Sequence, residues 1–264
     1  MKKIENRVAQ SKPSDFSLGL TYEFCAEFGR QGGNPDLLQE LIENKGRMVR
    51  AVAIARGDNV PKGYELANLI SGDDFISPEE VANAYGVHYT EDQLKHFGDT
   101  LPDEKTLQWY QTHGYMLVAG PSTELNLLEV RELDSKVFYS KTEGWYAESE
   151  QKFAREDKVA CGEWLAIRKE EVPNSLRKTW DEQQDLITEV EHVPNAPEVS
   201  YAVTAYFKVR GIYLLRGKYV RTSSVSAGGC HVSVGRFDGG GLIVSHRCYG
   251  GHRRDYIGVA SARK

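Results

Sequence analysis

Apolar residues recur at helical spacing through the first third of the chain and at strand spacing through its last quarter. Leu20, Phe24 and Phe28 stand four apart, which aligns them on one helical face, and Gly32-Gly33 ends that helix. Asn34-Pro35-Asp36 opens the next. Asn34 can accept from free backbone amides, Pro35 suits a first helical position, and Leu37, Leu38, Leu41 and Ile42 form a second stripe. Met48, Val49, Val52 and Ala53 extend helix as far as Gly57, and residues 64–70 predict a further short one. Ser77-Pro78-Glu79-Glu80 is a capping-box start whose helix stops at Gly86. Thr90 caps a helix through Phe97. Another begins at 99–102, holds Leu107, Trp109 and Tyr110, and stops at Gly114.

Beyond Gly114 the period changes. Tyr115 to Ala119 is a short apolar run between glycines, and residues 159–168 read as a second strand region. Residues 122–133 and 148–156 predict helix, and Thr179-Trp180-Asp181-Glu182 is another capping box. Residues 198–210 fit both periods: Val199, Ala202, Val203 and Tyr206 lie on a helical face, while Tyr201, Val203, Ala205 and Phe207 alternate. Pro197 before the stretch and Gly211 after it favour helix. Five short runs follow, 212–215, 219–225, 230–237, 242–246 and 256–260, with glycine at each turn. The expected fold class is α+β, an N-terminal helical domain over 1–101 and a mixed α/β region over 102–264 that ends in an antiparallel β-meander.

The charge of −5 hides an asymmetry, because residues 201–264 carry +9 and residues 1–200 carry −14. A basic surface over 198–264 then has two uses: it meets an anionic partner, or it docks on the acidic part of its own chain. No apolar run is long enough to span a bilayer, so no membrane partner is expected. The charged start of the chain does not read as a secretory leader. Cys25, Cys161, Cys230 and Cys248 are scattered without a CxxC pair, which suggests thiols in a reducing cytoplasm.

The familiar catalytic signatures are missing. There is no GxSxG elbow, HExxH pair or GxxxxGK[ST] loop, and Gly239-Gly240-Gly241 lies between strands, where no helix terminus meets a phosphate. Residues 82–94 resemble a helix-turn-helix until Asp92, which stands where an aliphatic residue should enter the core.

Two constellations remain. Arg221, Arg236, Arg247, Arg253 and Arg254 are interleaved with Tyr219, Phe237, Tyr249 and Tyr256, a pairing of phosphate donors with stacking platforms that suits unpaired RNA. If a hairpin pairs Phe237 with Leu242, then His231, His246 and Cys248 share one face, a donor set that suits zinc. Zinc is the one cofactor these residues suggest. The first expectation is a non-enzymatic binding protein whose basic sheet meets a polyanion such as RNA. The alternatives are a metal-dependent hydrolase or Cys-nucleophile enzyme using the His/Cys cluster, and a structural protein that self-associates.

Overall fold

The computed structural model describes residues 17–56, 62–246 and 253–263. Helices α1 (Leu18–Arg30), α2 (Pro35–Glu43) and α3 (Lys45–Arg56) come first, followed by α4 (Gly63–Ser71) and the short strand β1 (Phe75–Ile76). Then come α5 (Pro78–Tyr85), α6 (Glu91–Asp99), α7 (Glu104–His113) and β2 (Tyr115–Ala119). The middle of the chain holds β3 (Leu125–Asn126), α8 (Leu127–Leu133), α9 (Phe153–Glu156), β4 (Lys158–Val159), β5 (Trp164–Arg168), α10 (Trp180–Gln184) and β6 (Glu191–His192). Helix α11 (Ala196–Arg210) precedes β7 (Tyr219–Val225), β8 (His231–Gly235), β9 (Ile243–Ser245), β10 (Ile257–Val259) and β11 (Ala262–Arg263). The fold is α+β, as the change of period implies.

The starts and stops sit where local chemistry puts them. Ser77 accepts from the Glu80 amide while the Glu80 carboxylate accepts from the Ser77 amide, and Thr90 with Gln93 repeats the arrangement. Gly86, Gly114 and Gly211 end α5, α7 and α11 in the left-handed region.

Helix α11 is the centre of the molecule. A five-stranded sheet, in the order β1-β2-β5-β11-β6, lies on one side and a four-stranded sheet, β10-β7-β8-β9, on the other. Met116 and Val118 of the first sheet and Val220, Val232 and Val234 of the second join Val199, Ala202 and Val203 of α11 in one core. The opposite side of β2 presents Tyr115 and Leu117 to Leu66, Ile70, Leu107 and Tyr110 of α4 and α7. Strand β2 is therefore buried on both faces and reads as a continuous apolar run. The same reasoning explains why residues 198–210 fit two periods. Every residue from Ala196 to Tyr206 except Glu198 is buried, so any periodicity finds apolar or small side chains.

The last strands stitch the sheets together. β10 lies parallel to β7 in one sheet, and three residues later β11 inserts between β5 and β6 in the other, antiparallel to both. A meander is present as β7-β8-β9, with Tyr219 opposite Gly235 and Ser233 opposite Ser245. Residues 212–215 form no strand. Leu215 has φ +54, and the Lys218 amide donates to the Leu215 carbonyl at 3.2 Å, so the chain turns back where strand was expected. Helix α1 buries no residue: Leu20 and Phe24, expected to share an apolar face, stay exposed. The expected boundary at 101 falls between α6 and α7, while β1 pairs with β2 in parallel register on either side of it.

Candidate functional site

Four cations of the basic tail are paired to acids of the same chain. Lys208 meets Asp134 at 2.6 Å, Arg210 meets Glu80 at 2.6 Å, Arg253 meets Glu182 at 2.7 Å, and Lys218 pairs with Glu171. Arg263 lies 4.4 Å over the Trp109 ring. Arg221 is buried rather than displayed, donating to Gln183 Oε1 at 2.7 Å and to the Lys178 carbonyl at 3.2 Å. Burial also lowers its pKa. Arg254 is half-buried. Arg216 and Arg236 differ: both are exposed, and neither has an ion-pair or hydrogen-bond partner among the described residues. Arg247 and Tyr249 lie outside the described residues.

Arg236 stands at the rim of a cleft. On the four-stranded sheet Val220, Val234 and Val244 face α11, so the alternate residues Tyr219, Ser233 and Ser245 face outward. One end of that outer face is covered: Trp180 stacks on His231 with ring centroids 3.5 Å apart, and Gln183 donates to the Ile257 carbonyl at 3.2 Å. The other end is an open cavity of about 300 Å³ lined by Gly217, Tyr219, Ser233, Arg236, Ser245, Tyr256 and Ile257. Tyr219 and Tyr256 are half-buried, with ring centroids 6.4 Å apart and planes inclined by 60°. Among the described residues, the hydroxyls of Ser233, Ser245, Tyr219 and Tyr256 have no hydrogen-bond partner, so the cleft offers unspent donors and acceptors.

The backbone that places Arg236 is unusual. A Cβ on Gly235 would meet the Lys218 carbonyl oxygen at 2.2 Å, so only glycine lets the end of β8 press against residue 218. The Arg236 amide then donates to that carbonyl at 2.7 Å with φ at +45, a value a non-glycine residue seldom adopts.

Comparison with protein families, with curated proteins and with solved structures finds no match.

The histidines are held apart. The β8-β9 register pairs Val234 with Val244 and Ser233 with Ser245, one residue out of step with a hairpin that would pair Phe237 with Leu242. A single step exchanges the faces of one strand relative to the other. His231 stacks on Trp180, and His246 stacks on Trp145 at 3.9 Å. Burial lowers the His231 pKa, which leaves the ring neutral at pH 7. Cys248 lies outside the described residues, and no group of three His, Cys, Asp or Glu able to hold a metal occurs among the described ones. Cys230 is disulfide-bonded, whereas Cys25 and Cys161 are free, so the expectation of thiols throughout does not hold.

Of the residues nominated from sequence, Tyr219, Tyr256 and Arg236 converge, and Phe237 belongs to the core. Ser233, Ser245 and Gly217 were not nominated. Alternation on β8 and β9 carried the signal for the serines, but the register had to be known before they could be placed on one face.

Proposed function

We propose that the protein binds single-stranded RNA and that the cleft of Tyr219, Tyr256 and Arg236 holds an unpaired nucleotide. The observation that carries the reading is the convergence of two half-buried aromatic rings with an arginine that no acid of the described chain neutralises. Tyrosine faces stack on any base, and a guanidinium matches a phosphate through a planar fork of donors. The cavity of about 300 Å³ lies at the small end of the usual range for ligand sites, which runs from roughly 300 to 1,000 Å³. The free hydroxyls of Ser233 and Ser245 suit a ribose 2′-hydroxyl, the group that distinguishes RNA from DNA.

Among the described residues, the other basic side chains of the tail are largely engaged within the chain. With Lys208, Arg210, Lys218 and Arg253 paired to acids, binding engages few phosphates despite the formal +9 of the tail. Ultraviolet crosslinking of the bound oligouridylate, followed by peptide mass spectrometry, tests the location. Adducts on Tyr219 or Tyr256 are expected, and adducts confined to α1–α3 would contradict the reading.

A further inference from the structure

The cleft has a neighbour built from the same chemistry. A second cavity, of about 550 Å³, is lined by Gly114, residues 168–171, Tyr206, residues 212–216 and Lys218. Residues 215–219 form the wall between the two cavities, with Leu215, Arg216 and Lys218 lining the larger one and Gly217 and Tyr219 the smaller. Each cavity pairs an aromatic surface with an exposed arginine, Arg236 or Arg216, that no acid among the described residues neutralises. The smaller has Tyr219, Tyr256 and Arg236. The larger has Tyr213, half-buried and stacked on Phe207 at 4.3 Å, together with Arg216.

We infer that the two cavities are successive nucleotide subsites of one track, so that the ligand is a strand of at least two nucleotides rather than a mononucleotide. The inference rests on the reading of the Tyr219 cleft and extends it. Arg236 takes the phosphate of one nucleotide and Arg216 that of its neighbour, while Tyr213 offers the second base a stacking face. The strand crosses the wall at Gly217, where the chain carries no side chain and a Cβ would meet nothing within 4 Å.

Charge and backbone agree with this placement. Arg168, Lys169, Arg216 and Lys218 face the larger cavity against Glu170 and Glu171. Lys218 neutralises Glu171, and Lys169 is held by Asp74 at 2.6 Å, which leaves Arg168 and Arg216 facing the exposed Glu170. Among the described residues beyond 200, Leu215 and Arg236 are the non-glycine residues with positive φ, at +54 and +45, and each lines one of the two cavities. Such conformations persist where the surroundings over-determine them, and they gather at ligand-binding sites.

Binding of uridylates of one to six nucleotides to the full chain, followed by fluorescence quenching or calorimetry, tests the track. Affinity should rise about tenfold or more from the mononucleotide to the shortest oligomer that reaches both cavities, then level off. Arg216→Ala should cut the ratio of oligomer to mononucleotide affinity by about tenfold, and Tyr213→Leu should lower the same ratio. Arg216 is exposed on a turn, so its replacement leaves the fold intact. Mononucleotide binding with no gain on lengthening, or an unchanged ratio in both variants, would overturn the track while leaving the cleft in place. No binding at any length would overturn both.

Discussion

Arg221 Nη1 donates to Gln183 Oε1 at 2.7 Å, and Gln183 Nε2 donates onward to the carbonyls of Ser175 at 2.8 Å and Ile257 at 3.2 Å. The arginine that sits mid-strand on the basic sheet therefore fastens α10 to that sheet and is not offered to a ligand. Gln183→Leu would take one acceptor from the buried Arg221 guanidinium, which keeps the Lys178 carbonyl, and the side-chain donor from two carbonyls. Loss of such partners costs about 1–3 kcal/mol for each buried group left unsatisfied. A lowered midpoint in urea with unchanged RNA affinity for the folded protein is expected. An unchanged midpoint would show that the pair holds nothing.

Acid should loosen the five-stranded sheet through Glu191. Burial pushes its carboxyl up, but hydrogen bonds from Tyr115, Thr188 and Ser261 outweigh that and hold it below the ordinary value of 4.5. A lowered pKa means that the folded state favours the ionised form. The resulting stability is fully present above pH 4.5 and is lost as pH falls through the lower folded value. Glu191→Gln should flatten the acid limb of the stability profile and lower stability at pH 7. Parallel acid limbs for the two proteins would contradict this account.

The C-terminal strand should tolerate no proline. Ala262 pairs with Ile167 on one side and His192 on the other, so β11 is an interior strand although only two residues long. Proline removes a ladder donor and is confined to edges and bulges. Ala262→Pro should destabilise by about 1–3 kcal/mol for a buried carbonyl left unsatisfied, read as a fall in the thermal midpoint. A shift of less than a degree would mean that β11 contributes little to the sheet.

Much of the helical architecture was legible because its punctuation is local. Ser77 with Glu80 and Thr179 with Glu182 are short-range pairings that the sequence displays directly. What was not legible is long-range. Nothing in Ala262-Arg263 announces that these residues enter the sheet between strands almost 100 and 70 positions earlier. The expected β8-β9 pairing is one residue out because Asp238-Gly239-Gly240-Gly241 is compatible with more than one turn length. The excess of basic residues was visible, but which of them keep a free charge depends on Asp134, Glu80, Glu171 and Glu182, all more than 40 positions away.

Stacking and charge should separate in the cleft. Tyr219→Ala and Tyr256→Ala remove a base platform each, worth roughly 1–3 kcal/mol per stacked base, with little effect on the salt dependence. Tyr219→Phe should retain most of the affinity, because the ring and not the hydroxyl supplies the stacking face. If the phenylalanine variant loses as much as the alanine one, hydrogen bonding rather than stacking governs the site.

The most direct test of the account is the affinity of a labelled oligouridylate for wild-type protein and for Arg236→Ala across a salt series. Single-stranded ligands lose affinity with a slope of about −0.7 in log–log form per phosphate neutralised. Because Lys208, Arg210, Lys218 and Arg253 are paired to acids and Arg221 is buried, the wild-type slope should correspond to about two phosphates, and Arg236→Ala should weaken binding and flatten the slope by about one phosphate. An unchanged affinity and slope in Arg236→Ala would contradict the assignment of RNA to this cleft.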